Sequence, residues 1–131
     1  YVANVGDSRL YLMDEQLKQI TTDHSLVQEM IRLGQLSKED ARNHPDKNII
    51  TRAVGASDDI TPDFFEFPVS KESTLLMCSD GLSNMINDEQ IASYLKNIKT
   101  PEKTGKKLVE AANKNGGTDN IAVIVIKAGE V

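Results

Sequence analysis

A single cysteine, Cys78, stands among 131 residues, so an internal disulfide is excluded and a reducing, cytoplasmic setting is the expectation. The chain lacks an apolar run long enough to cross a bilayer, and it lacks a signal-peptide pattern. Positive charge is also short. Against 20 Asp and Glu there are 15 Lys and Arg, a net charge of -5, so no basic field is available to hold nucleic acid or anionic lipid. An acidic surface of this kind suits cations or basic partners. Internal repeats and low-complexity tracts are absent too. What is present is 39% hydrophobic residues, enough for a core in one domain of ordinary size. The chain opens on Tyr1 and Val2 already inside a strand pattern, which sets the expectation of a piece cut from something longer.

The strand patterns "YVANV" and "RLYLM" flank "GDS", so a hairpin or other tight strand-to-strand connection is expected there, with Asp7 at a sheet edge or corner. A third strand is expected over "LKQITT". The pattern then switches to helical spacing in "DHSLVQEMIRLG", with Leu26, Val27, Met30 and Ile31 on one side. Ser25 and Gln28 form a capping-box pattern, and Gly34 is a natural stop. Ser37 can cap a short helix over "SKEDAR", whose acidic first turn suits the helix dipole. Residues 25–62 read as an excursion from the sheet, mostly helix and loop.

Strands resume at "DFFEFPV" and at "TLLMCS", the latter a nearly continuous apolar run suited to a central strand buried on both faces. Asn87, with Gln90 in the capping-box position, opens a helix over "DEQIASYLKN". Thr100 and Pro101 open another, which should end at Gly116 and Gly117. The dense β-branched run "NIAVIVIK" is the last strand expected.

Asp7 in "VGDSR", Asp80 in "CSDGL" and Asp119 in "GGTDN" share a context: each lies near Gly and at the end or beginning of an apolar strand. Gathered together, such carboxylates could coordinate Mg²⁺ or Mn²⁺, which prefer oxygen ligands, keep several waters and need few protein donors. Glycine nearby lets backbone and hydrated ion approach closely. Ordinary Asp-Gly turns explain the same pattern, and spacing alone does not bring the three residues together.

Several segments in register, "ANVGDSRLYL", "TTDHSLV", "ARNHPDKNIITRAVG", "LLMCSDGLSN" and "GGTDNIAVIVI", follow the order and spacing of the metal-dependent protein phosphatase 2C (PPM) family. The chain resembles the bacterial-type members in particular, and it matches roughly the C-terminal half of their catalytic domain. The resemblance implies an α+β fold, part of a four-layer α-β-β-α sandwich with antiparallel β-sheets. It implies hydrolysis of phosphoserine and phosphothreonine in proteins by a metal-activated water, with no phosphoenzyme. Two or three Mg²⁺ or Mn²⁺ ions are implied in the complete domain. Asp80 matches a ligand of the two-metal centre, Asp119 matches a ligand of one of those ions, and Asp7 matches an aspartate that helps hold a third ion together with Asp80. Residues 25–62 match the family's flap beside the active site, with a mobile surface insert as the plainer alternative.

The family's N-terminal half supplies an "Asp-Gly-x-Gly-Gly-His" motif and a phosphate-binding arginine, and neither is found in these residues. The chain alone is therefore expected to bind divalent metal weakly and to be inactive. Its expected partners are phosphorylated protein substrates, the missing N-terminal half, or a second copy of the fragment covering its open sheet edges. A rival reading is a non-catalytic regulatory or interaction module that keeps the scaffold.

Other residues invite chemistry and have plainer readings. Cys78 lacks the arginine-ended loop of a thiol phosphatase and reads as a small buried hydrophobe. Ser79 with His24 or His44 lacks the pattern of a hydrolytic triad. The two histidines read as capping or surface hydrogen-bonding groups, and Arg9 and Arg52 as structural partners of nearby carboxylates. Asn120 reads as orienting Asp119 or a metal-held water, with a turn role as the alternative.

Overall fold

The computed structural model describes residues 1–96 and 98–129. Along the chain the elements run β1 (Val2–Asn4), β2 (Arg9–Met13), β3 (Leu17–Gln19), α1 (Leu26–Arg32), α2 (Lys38–Arg42), β4 (Asp63–Phe65), β5 (Thr74–Cys78), α3 (Asp80–Ser83), α4 (Asp88–Lys96), α5 (Pro101–Lys114) and β6 (Val123–Lys127). They fall into two compact units, one made of Tyr1–Ser8 and Thr22–Glu66, the other of Arg9–Thr21 and Phe67–Val131.

In the first unit β1 and β4 form an antiparallel pair with Asn4 opposite Asp63. Ser25 caps α1 by accepting from the Gln28 N–H at 3.3 Å, and the chain leaves that helix through Gly34 at φ +72°. Ser37 caps α2 in the same way, accepting from Asp40 N–H at 3.0 Å over a first turn that carries Glu39 and Asp40. After α2 the chain returns to the start of α1. The Leu26 N–H donates to the Ile49 carbonyl at 2.9 Å, and Ser25 and Ile50 make an isolated β-bridge.

In the second unit four antiparallel strands lie in the order β3-β2-β5-β6. One face, through Tyr11, Leu76 and Cys78, packs with Leu82, Ile86, Ile91, Leu95, Leu108 and Ala112 of the helical segments to make the core. The helices start where their caps dictate. Asn87 and Gln90 satisfy each other's backbone N–H at 3.0 and 2.9 Å before α4. Thr100 accepts from Lys103 N–H at 3.3 Å, and Pro101 opens α5. The chain then leaves α5 through Gly116 and Gly117, both at positive φ.

One expectation needs correction, two are narrowed, and one falls partly out of view. Of the two connections expected at "GDS", the tight strand-to-strand link is the one that forms and the hairpin is not: β1 pairs with β4 while β2 pairs with β3 and β5, so the turn joins strands of separate sheets. Strand β5 is interior to its sheet but is not buried on both faces. Its register places Leu75 opposite Ile126 and Met77 opposite Ile124, and Met77, Ile124 and Ile126 are 43%, 57% and 44% exposed. The "SDG" segment after β5 is more than a turn, because Asp80 is the first residue of the short helix α3, with Ser79 at its N-cap. The last residue expected in the helix after Asn87, Asn97, lies outside the described residues.

Candidate metal centre

The second unit builds one corner from the end of β5 and the segment that leads into β6. The ladder's last pair is Cys78 opposite Val123. Beyond it Ser79 continues the stitching. Its N–H donates to the Ala122 carbonyl at 3.0 Å, while its Oγ accepts from the Ala122 N–H at 3.0 Å and donates to the Asn120 carbonyl at 3.3 Å. Gly81 follows because nothing larger fits, since a Cβ there would stand well inside contact distance of the Asn120 carbonyl oxygen. Asp80 lies between these two contacts, and Asp119 directly precedes Asn120.

The corner thus brings the two segments that carry Asp80 and Asp119 against each other. Asp80 is half-buried and Asp119 exposed. The Asp119 Oδ1 accepts from the N–H of Asn120 at 2.7 Å, so Asn120 touches it through the backbone.

Asp7 belongs to the first unit, in the turn after β1. Gly6, immediately before it, has φ +110°, a region in which a side chain is strained. The Gly6 peptide groups are held on both sides: its N–H donates to His24 Nδ1 at 3.0 Å, and its carbonyl accepts from the His24 N–H at 2.9 Å and from Asn4 Nδ2 at 3.4 Å. An Nδ1 that accepts places the proton of the neutral ring on Nε2, which donates to Asp63 Oδ2 at 2.8 Å. Asp63 in turn accepts from Arg52 Nη1 at 2.8 Å, and the same nitrogen reaches the Thr61 carbonyl at 2.8 Å. The hydrogen bond from His24, followed by that from Arg52, holds the Asp63 carboxyl below its ordinary range.

His24 is therefore not the surface group its polar neighbourhood implies. It is 6% exposed, and burial is tolerated because both ring nitrogens have partners. His44 accepts from Asp46 N–H at 3.1 Å in a local turn. Arg52 pairs with a carboxylate as expected, and the Arg9 guanidinium donates to the Tyr11 hydroxyl at 2.9 Å. Cys78 is buried in the core.

The donor chemistry of Asp7, Asp80 and Asp119 fits a hard divalent ion, since all are carboxylate oxygens. Among the described residues, no group of three or more His, Cys, Asp or Glu side chains is arranged to hold an ion. These residues offer the right kind of donor atom, and the described residues alone gather no set of three. Ser79, Gly81 and Asp63 escaped the sequence reading as structural members of these sites. The small residues around Asp80 were a signal for the first two. Asp63 had none, being 39 residues from its histidine.

The chain belongs to the protein phosphatase 2C family, which it matches over residues 1–121. It is 46% identical over 127 residues to the serine/threonine phosphatase stp of Listeria monocytogenes, covering 96% of this chain and 50% of that protein. Among solved structures, the serine/threonine phosphatase of S. agalactiae has a TM-score of 0.88 at 38% identity, over 96% of this chain and 52% of that one. The catalytic domain of the phosphatase PstP in complex with two manganese ions has a TM-score of 0.82 at 33% identity, over 94% and 50% of the respective chains. The chain spans about half the length of the curated relatives it matches. No helix among the described residues is long and apolar enough to cross a membrane.

Proposed function

We propose that the chain forms the C-terminal half of a metal-dependent catalytic domain that hydrolyses phosphoserine and phosphothreonine in proteins. In this reading Asp7, Asp80 and Asp119 are ligands of Mg²⁺ or Mn²⁺. The observation that supports it most is the Ser79 stitching to Ala122 and Asn120, because it sets the segments of two of these aspartates side by side at the end of a sheet. A carboxylate anchored at a strand end holds its position better than one on a loose loop. Bound divalent ions supply Lewis-acid charge there, lowering the pKa of water and neutralising phosphoryl oxygens.

The complete domain is then a four-layer sandwich, with the family's N-terminal half supplying the remaining ligands and the phosphate-binding arginine. That half also covers the exposed face bearing Met77, Ile124 and Ile126. Alone, the chain binds metal weakly, turns over little substrate and is prone to pair with a second copy through that face. Residues 25–62 act as the flap, the substrates are phosphorylated proteins, and the setting is cytoplasmic.

The test is Mn²⁺ titration of the complete domain and its Asp80→Asn variant, read by calorimetry and phosphopeptide release together. Loss of both in the variant is the expected result. Metal binding and turnover equal to the unsubstituted protein would remove Asp80 from the site, whereas no phosphopeptide release from the unsubstituted complete domain would favour the non-catalytic module.

A further inference from the structure

His24 makes more contacts with one glycine than a structural histidine needs. Ring and backbone together engage both the N–H and the carbonyl of Gly6, at 3.0 and 2.9 Å, and Asn4 adds a third contact to that carbonyl. Gly6 sits at φ +110°, a backbone state with few intrinsic restraints in glycine, so its geometry is set from outside. The ring is itself oriented through Asp63, which Arg52 holds from the flap, and the His24 carbonyl accepts from the Thr51 N–H at 2.9 Å. A continuous chain of hydrogen bonds therefore runs from the flap, through the imidazole, to the peptide on which Asp7 follows.

We propose that His24 is a positioning residue for Asp7: its ring, oriented by Asp63 and Arg52, fixes the Gly6 peptide and with it the direction in which the Asp7 carboxylate is presented. This rests on the reading of Asp7 as a metal ligand. The arrangement gives a backbone-borne version of the outer hydrogen bonds that orient metal ligands elsewhere. It also links the flap to the metal site, because disturbing Arg52 or Thr51 disturbs the ring that holds Gly6.

Two substitutions separate the halves of the imidazole. An asparagine at 24 keeps an acceptor oxygen near the place of Nδ1, whereas a glutamine keeps a donor near the place of Nε2 and loses the acceptor for Gly6. The experiment measures Mn²⁺ binding by electron paramagnetic resonance in the complete catalytic domain, for the parent protein and for Asp7→Asn, His24→Asn, His24→Gln and Asp63→Ala. Metal-free thermal unfolding is recorded alongside. Asp7→Asn should remove one class of bound Mn²⁺. His24→Gln should weaken that same class about tenfold, as loss of an outer contact to a ligand does, and His24→Asn less, severalfold, because it keeps an acceptor for Gly6 while losing the contact to Asp63.

Asp63→Ala leaves the imidazole acceptor for Gly6 in place and removes only the partner that orients the ring, so it should weaken the class severalfold. Equal Mn²⁺ binding by His24→Asn and His24→Gln, with only their unfolding temperatures lowered, would reduce His24 to a structural role. So would unchanged binding in Asp63→Ala if the histidine variants fail to fold. Parent-like Mn²⁺ binding by Asp7→Asn would instead overturn the ligand reading beneath the proposal.

Discussion

The carbonyl oxygen of Asn120 occupies the space that a side chain on Gly81 would need. Gly81→Ala should therefore push α3 away from the segment that leads into β6. The expected cost is about 1–3 kcal/mol of stability, the range of overpacking, together with loss of activity in the complete domain. Urea unfolding gives the first quantity, and a variant as stable as its parent would mean the corner has slack. Ser79→Ala should cost about 1 kcal/mol by leaving Ala122 without its acceptor.

Tyr11 is wholly buried, and its hydroxyl accepts from Arg9 and donates to Asp88 Oδ1 at 3.2 Å, tying β2 to the first turn of α4. Burial pushes its pKa above the ordinary 10.0, with Arg9 opposing to a lesser degree. The neutral form is thus favoured in the folded state. Its contribution to stability is complete below pH 10.0 and falls as pH rises above that value. Tyr11→Phe should cost about 1 kcal/mol near neutrality and flatten the alkaline decline of the unfolding midpoint. An identical alkaline limb in both proteins would contradict the assignment.

Asp63 gives the opposite pH dependence. Its depressed pKa means that its contribution is complete above the ordinary 3.8 and is lost as pH falls through the folded-state value. The carboxylate is 39% exposed, so solvent screens the effect and the expected change is small. Asp63→Asn should remove part of the acid limb of stability. Thermal unfolding followed from neutral pH down into the acid range checks this, with the pH-dependent difference between the two proteins shrinking as pH falls from 3.8 through the lower folded-state value.

The open sheet face makes a prediction that depends on context. Ile124→Lys and Met77→Lys alter positions more than two-fifths exposed in this chain, so each should change its stability by no more than about 0.5 kcal/mol. In the complete domain the same lysines would be buried, at a cost of several kcal/mol. Equal costs in the short and complete proteins would show that this face stays open in both.

The boundaries of the helices were legible because caps act locally. Ser25, Ser37, the Asn87–Gln90 pair and Thr100–Pro101 each satisfy or replace backbone donors within a few residues. Strand partners were not legible in the same way. The "GDS" pattern has hairpin chemistry, but long-range pairing of β1 with β4 overrides it. An apolar run such as Thr74–Cys78 records what a strand is suited to contact, so it read as buried on both faces even though Met77 is exposed here. The helix α3 has four residues, too few to show a helical period. Asp80 and Asp119 stood out by context and family resemblance. The bonds that organise their corner join residues up to 43 positions apart and leave no local trace.

The second unit is assembled from two stretches of chain, with Thr22–Glu66 leaving after β3 and returning ahead of β5. The sheet closes across that departure, Arg9 pairing with Cys78 and Met13 with Thr74. The entropy of closing such a loop rises only with the logarithm of its length, about 0.6 kcal/mol per doubling. Evolution, or an engineer, can therefore lengthen or shorten the loops of the intervening stretch at little cost in chain-closure entropy while the pairing of β2 with β5 stays in register, provided the residues that hold β1 and Gly6 are kept.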